Sequence, residues 1–344
     1  MGKEFSPGAR FDRYTLVRRV ATGGMGSVWQ GELAGKHGFA KKVAIKTIRP
    51  ELAGEPAFRA MFLEEARISS RLSHANVAQV LDVGDDDGAV YIVFEWVDGR
   101  SLDAICADAA ARGENVPIEL ALRVVADVCA GLHALHELTN EKGEPIHAVH
   151  RDVSPANVLV SKDGYAKIID FGIAKARDRA GAMTKSGIVK GTPQFMGPEQ
   201  AMGQPIDRRA DVFSAGAVLY RVLAGHAPFP DSDALGAFVL GKQPPELPDG
   251  VPEPVRALVK KAMCCDPDER FATAAEMRRA LERATNVDLE APRPALPSLP
   301  PPEAVTRAEP TRVSPKPNDT RRLVIGLALA AALVVMAVVL ALRT

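Results

Sequence analysis

The sequence predicts a mixed α+β chain, with strands early, helices after them and an apolar span near the C-terminal end. Three observations predict it. Residues 14–48 and 90–97 are β-branched and aromatic runs interrupted by glycine turns. Residues 118–138 place Leu120, Val124, Val128, Leu132 and Leu135 at helical spacing. Leu323 to Leu342 is a stretch of twenty residues without a charge.

At 344 residues the chain has room for one large domain or two ordinary ones plus tails. Lys+Arg and Asp+Glu balance at 43 each, so overall charge gives no reason to expect a nucleic-acid partner. Cys106, Cys129, Cys264 and Cys265 lack paired metal-ligand spacing and read as small apolar residues in a reducing compartment. Met1 to Ser6 carries no apolar run, which predicts no secretory signal, although it matches the loose Met-Gly-x-x-x-Ser myristoylation pattern.

In chain order, Leu16, Val17 and Val20 lead into Ala21-Thr22-Gly23-Gly24-Met25-Gly26-Ser27-Val28. Glycines between strands let backbone N–H groups come close to phosphate oxygens, because no Cβ intervenes. In Val43-Ala44-Ile45-Lys46, Val43 and Ile45 take one face and Lys46 the other, beneath the glycine turn. The following helix carries Phe58, Met61, Phe62, Ile68 and Leu72 as an apolar stripe. Glu65 falls inside that stripe and Glu64 outside it. A carboxylate on a buried face needs a cation, and Lys46 is the expected partner.

Val90-Tyr91-Ile92-Val93-Phe94-Glu95-Trp96-Val97-Asp98-Gly99 reads as a strand ending in a turn. The helix over 118–138 is core, and His133, His136 and His147 are expected in structural or solvent roles. Between the apolar runs Ile146–Val149 and Val158–Val160 lies His150-Arg151-Asp152-Val153-Ser154-Pro155-Ala156-Asn157. A turn stiffened by Pro155 that presents a carboxylate and, five residues on, an amide suits a proton acceptor beside a metal ligand. Lys167-Ile168-Ile169-Asp170-Phe171-Gly172 places a second carboxylate at a strand end, 18 residues after Asp152.

Taken in this order, the segments over residues 14–283 resemble the bacterial (Hanks-type) serine/threonine protein kinases. The resemblance implies a two-lobed kinase fold: a small β-rich N-lobe (14–97) with one main helix, then a larger helical C-lobe (98–283), preceded by a tail (1–13). It implies ATP as cosubstrate with Mg2+, Mn2+ being the alternative ion. ATP would contact Val20, Ala21, Thr22, Gly23, Gly24, Met25, Gly26, Ser27, Val28, Ala44 and Lys46. Backbone groups of Glu95 and Val97 would bind adenine beside Phe94, and Asp103 would meet the ribose. The catalytic set would be Lys46 with Glu65, Asp152, Arg151, Asn157 and Asp170, with Asn157 and Asp170 on metal. Gly191-Thr192-Pro193-Gln194-Phe195-Met196-Gly197-Pro198-Glu199 resembles the close of a serine/threonine kinase activation segment. Glu199 would pair with Arg270, and Asp211 would anchor the catalytic loop. Thr184 and Ser186 are the expected autophosphorylation sites, with Arg151 clamping the added phosphate.

Three positions depart from the family pattern. Ala21 stands where the first loop glycine is usual, Gly197 where Ala is usual, and Ser154 where a Lys usually touches the γ-phosphate. Lys46, the metals and Lys190 are the expected compensating charges. The alternative reading is a nucleotide-binding pseudokinase acting as a membrane-tethered scaffold, favoured by Ala21 and Ser154 and opposed by Lys46, Asp152, Asn157 and Asp170. A kinase for small molecules is disfavoured by the long activation segment.

After the catalytic region, prolines 292, 294, 297, 300, 301, 302, 310, 315 and 317 predict an extended, disordered spacer over 284–322. The segment 323–342, about 30 Å long as a helix, predicts one transmembrane helix. Arg321, Arg322 and upstream basic residues against Arg343 alone leave the catalytic body in the cytoplasm at the inner membrane. Two residues past the span predict no external sensor. Gly326 and Ala330 form a small-residue face suited to a homodimer. Protein substrates are the expected partners.

Overall fold

Alternation of apolar side chains builds the first sheet, whose strand order is β1-β2-β3-β4-β6-β5. Its strands are β1 (Arg10–Phe11), β2 (Tyr14–Thr22), β3 (Gly26–Ala34), β4 (Ala40–Ile48), β5 (Val80–Asp86) and β6 (Ala89–Glu95). The computed structural model describes residues 5–23, 26–86, 88–171, 193–230, 232–239, 243–285, 293 and 305–306. Gly24, Met25, Gly172, Thr184, Ser186, Lys190, the 323–342 span and its Gly326/Ala330 face lie outside the described residues. Among those described, no helix is long and apolar enough to cross a membrane.

Each face of the sheet has its own core. Phe11, Tyr14, Leu16, Trp29, Val43, Ile45, Tyr91 and Val93 pack on one side. Ile48, Val90 and Ile92 pack on the other, against Phe62 and Ala66 of α2 (Pro56–Ser70), which follows the short α1 (Pro50–Ala53). A period of two puts Lys46 on the α2 side with Ile48. Its register neighbours are Val28 on β3 and Ile92 on β6.

The helical part begins with α3 (Leu102–Ala111), whose N-cap Ser101 Oγ accepts the Ala104 N–H at 3.2 Å. Helix α4 (Ile118–His136) runs through the main core; Val124, Val125, Val128, Cys129, Leu132 and Leu135 are all fully buried. A helix apolar nearly all round belongs inside, and this one packs against α6 (Arg209–Ala224), α9 (Ala274–Thr285) and β9. The remaining helices are α5 (Pro198–Ala201), α7 (Ser232–Val239) and α8 (Glu253–Ala262). Gly225 ends α6 at φ +78°, the left-handed cap that glycine adopts without a Cβ penalty.

A second sheet, β7 (Gly99–Ser101), β8 (Val158–Ser161) and β9 (Ala166–Ile168), lies between the two parts. Ala78 N–H donates to Ile168 O at 3.0 Å, and Ile168 N–H to Asn76 O at 2.9 Å. Thus β9 is fastened to the segment just before β5. The pairing Val158↔Ile168 sets Asn157 and Asp170, which flank the two strands, at one end of the hairpin.

Candidate active site

Burial of Glu65 determines the first half of the site. Its residue is 3% exposed, on the apolar face of α2, and its Oε1 stands 2.6 Å from Lys46 Nζ. The same ammonium lies 3.0 Å from Asp170 Oδ1. Burial alone would push Lys46 down, but the charges of Asp170 and Glu65 outweigh it and hold the amine above its ordinary value. Glu64 instead pairs with Arg67 at 3.1 Å on the exposed side of the helix.

The second half is the loop before β8. Asp211, fully buried in the first turn of α6, accepts the amide of His150 at 2.7 Å and that of Arg151 at 2.8 Å. His136 Nε2 lies 2.8 Å from the same carboxylate. These bonds hold Arg151 at φ +68°, a left-handed conformation a non-glycine residue adopts only under constraint. Gln200 Nε2 donates to Arg151 O at 2.7 Å and restrains the other end of that residue. His150 is fully buried, its ring 5.2 Å from that of Phe171, so it packs as core.

Asn157 Nδ2 donates to Asp152 O at 2.8 Å and to Asp152 Oδ2 at 2.7 Å. The amide therefore orients the carboxylate. Ile169 N–H donates to Asn157 O at 3.0 Å, bringing Asn157 beside Asp170, which sits at φ +57°. A carboxylate and a side-chain amide on adjoining backbones form a hard-oxygen donor set, which fits a magnesium ion. Among the described residues no cluster of three or more His, Cys, Asp or Glu could hold a metal.

Above Lys46, Gly23 N–H donates to Gly26 O at 2.8 Å across the glycine turn. A Cβ on Gly26 would stand 1.7 Å from Thr47 O, so the turn can lie this close to β4 only with glycine there. Ala21 pairs with Val28 inside the β2–β3 ladder, where an alanine is accommodated as strand. Arg49 Nε donates to Gly23 O at 3.1 Å, a further restraint on the turn.

At the strand end, Glu95 closes β6. The Glu95 N–H donates to Gln79 O at 2.9 Å and is used in the fold. Its side chain takes Lys167 Nζ at 2.9 Å. Val97 lies just past the end of β6, and Asp103 is exposed in the first turn of α3. Val20, Thr22, Ser27 and Ala44 lie on β2, β3 and β4 around the turn.

Farther out, Glu199 and Arg270 form a bidentate pair at 2.7 and 2.8 Å, the Arg side chain fully buried. A Cβ on Gly197 would stand 2.7 Å from Glu199 Oε1, so glycine there leaves this locked carboxylate unobstructed. Ser154 is 1% exposed. Sequence reasoning did not single out Gln200, and it gave His136 no part in the loop. The only signals were adjacency to Glu199 and a helical position one turn beyond Leu132.

The sequence matches the protein kinase domain family over residues 14–281. It is 41% identical over 274 residues to the tyrosine-protein kinase MasK of Myxococcus xanthus, covering 78% of this chain and 42% of that protein. It is 38% identical over 276 residues to the serine/threonine-protein kinase PksC of Streptomyces coelicolor, covering 77% and 48%. It is 37% identical over 291 residues to the serine/threonine-protein kinase PknB of Mycobacterium tuberculosis, covering 82% and 44%. The chain thus spans less than half the length of these curated relatives. Among solved structures, the kinase domain of Mycobacterium tuberculosis PknI superposes with a TM-score of 0.61 at 26% identity, over 82% of this chain and all of that one.

Proposed function

This chain belongs to the protein kinase domain family, and we propose on that footing that it transfers the γ-phosphoryl group of ATP to serine and threonine hydroxyls of proteins. The observation that carries the reading is Lys46 Nζ, 2.6 Å from Glu65 and 3.0 Å from Asp170. An ammonium clamped between two acids from different elements is what holding α- and β-phosphates over a metal-binding carboxylate requires.

Asp152, oriented by Asn157, accepts or orients the proton of the substrate hydroxyl. Asn157 and Asp170 would hold magnesium, which supplies positive charge against the phosphate oxygens. Lys46 positions the triphosphate, and the glycine turn covers it with backbone N–H groups. Arg151 receives a phosphate added at Thr184 or Ser186. The chemistry asks mainly for positioning and charge, which these groups supply.

The uncharged run Leu323–Leu342 and the basic residues before it support a single-pass anchor in the inner membrane, with the catalytic part in the cytoplasm. Carbonate-resistant membrane sedimentation, lost on removing 323–342, is the expected result for that part of the reading.

The test of activity is to incubate the full-length chain with labelled ATP, magnesium and a generic protein substrate, then identify the labelled amino acid. Phosphoserine and phosphothreonine are expected. Phosphotyrosine alone would overturn the hydroxyl class, as the similarity to MasK makes worth checking. Nucleotide binding with no transfer would leave a pseudokinase instead. Asp152→Asn should abolish labelling while nucleotide binding persists.

A further inference from the structure

Residue 293 lies beyond the matched family region, 166 positions from Asp127 in sequence, yet its side chain is only 5% exposed. Arg293 grips Asp127 of α4 with both terminal nitrogens, Nη2 to Oδ1 at 2.8 Å and Nη1 to Oδ2. Nη1 also donates to Gly164 O at 3.0 Å, and the guanidinium carbon lies 4.4 Å from the centroid of the Tyr165 ring. A buried carboxylate, a carbonyl and an aromatic face converging on one planar cation are the complement of a guanidinium.

We propose that Asp127, the Gly164 carbonyl and Tyr165 form an arginine socket in which Arg293 docks the segment that follows the catalytic domain.

Two features make this more than a surface ion pair. Asp127, 9% exposed as a side chain, sits on a helix apolar nearly all round, where an uncompensated charge is costly. Its Oδ2 also accepts the Ala166 N–H at 2.8 Å, the amide that begins β9. Ala166 O in turn accepts from Asn76 Nδ2 at 2.9 Å, and β9 leads within two residues to Asp170. The socket therefore grips the strand that delivers the metal-binding carboxylate. Docking of Arg293 and the firmness of β9 are one event, because a single carboxylate serves both. The occupant is a residue of this chain, so a pull on the linker reaches β9 directly.

The experiment is amide hydrogen exchange on the full-length chain and its Arg293→Ala, Arg293→Lys and Asp127→Asn variants. The last keeps an acceptor oxygen for Ala166 but removes the charge. Exchange over residues 162–168 should rise by about tenfold in Arg293→Ala, as expected when a charge-assisted contact is lost. Arg293→Lys, which keeps charge but not the fork or the stacking, should fall between, and Asp127→Asn should resemble Arg293→Ala. Rates within about twofold of the parent in both Arg293→Ala and Asp127→Asn would overturn the proposal. Arg293→Ala uncovers the buried Asp127 carboxylate, so its Tm should fall; a single cooperative unfolding transition in that variant checks that the domain still folds. The readout does not depend on phosphate transfer, so the socket and the kinase reading stand or fall separately.

Discussion

Oε1 of Glu65 lies 2.6 Å from Nζ of Lys46, and the carboxylate is nearly excluded from solvent. Removing one partner leaves the other charge buried. Lys46→Met should therefore cut phosphate transfer by at least about 10²-fold, since a fixed cation at the phosphates is lost. It should also destabilise the domain by about 3 kcal/mol. Lys46→Met with Glu65→Leu should recover most of that stability and none of the activity. A double-mutant cycle in denaturant, run beside the transfer assay, measures both.

The Glu199–Arg270 pair joins α5 to the segment before α9, and Arg270 also donates to the carbonyls of Cys264, Cys265 and Arg209. Arg270→Ala strands a buried carboxylate and three acceptors together. A loss of about 3–5 kcal/mol is expected, read as a fall in Tm at neutral pH. Arg270→Lys should recover less than half, because an ammonium cannot reproduce the planar fork.

How far the sequence discloses this site depends on what sets each group. Glu65 was legible because a helical stripe has a phase, and a carboxylate within it needs a cation. Asp152, Asn157 and Asp170 were legible through polar turns pinned by apolar flanks. The glycine turn was legible as chemistry, but the 1.7 Å approach that demands Gly26 depends on where β4 lies. The clamp on the catalytic loop was only partly legible. Asp211 could be identified by family pattern, whereas His136 meets Asp211 across 75 residues and Gln200 meets Arg151 across 49, with no local period to mark them. Arg293 was invisible inside a proline-rich tract whose composition suggests only a spacer.

Asp211 should give the domain an acid-side pH dependence of known sign. Burial alone would push its carboxyl up, but the hydrogen bond and charge of His136, the charge of His150 and the Arg151 amide bring it below the ordinary carboxylate value. A group depressed in the folded state contributes stability above its unfolded value, near pH 4, and loses it as pH falls through the folded value. The stability gap between the parent and Asp211→Asn should therefore be full at pH 5 and narrow progressively below about pH 4. Urea unfolding at several pH values checks this; a gap that widens on acidification would show the opposite sign.

Ser154 occupies the position where related kinases usually carry a lysine for the γ-phosphate, yet it is 1% exposed and its Oγ meets no hydrogen-bond partner among the described residues. A buried hydroxyl without a partner carries a desolvation penalty of about 1–3 kcal/mol. Ser154→Ala should therefore be neutral or stabilising by up to about 1 kcal/mol, and its transfer rate should stay within about twofold of the parent. Ser154→Lys must force an ammonium into a closed position two residues from Asp152, and should destabilise the domain rather than accelerate it. Single-turnover rates and denaturant midpoints for both variants decide the point. A rate that falls tenfold in Ser154→Ala would mean that this hydroxyl handles phosphate itself, and that the positive charge at the site is supplied by Lys46 and the metal with help from Ser154.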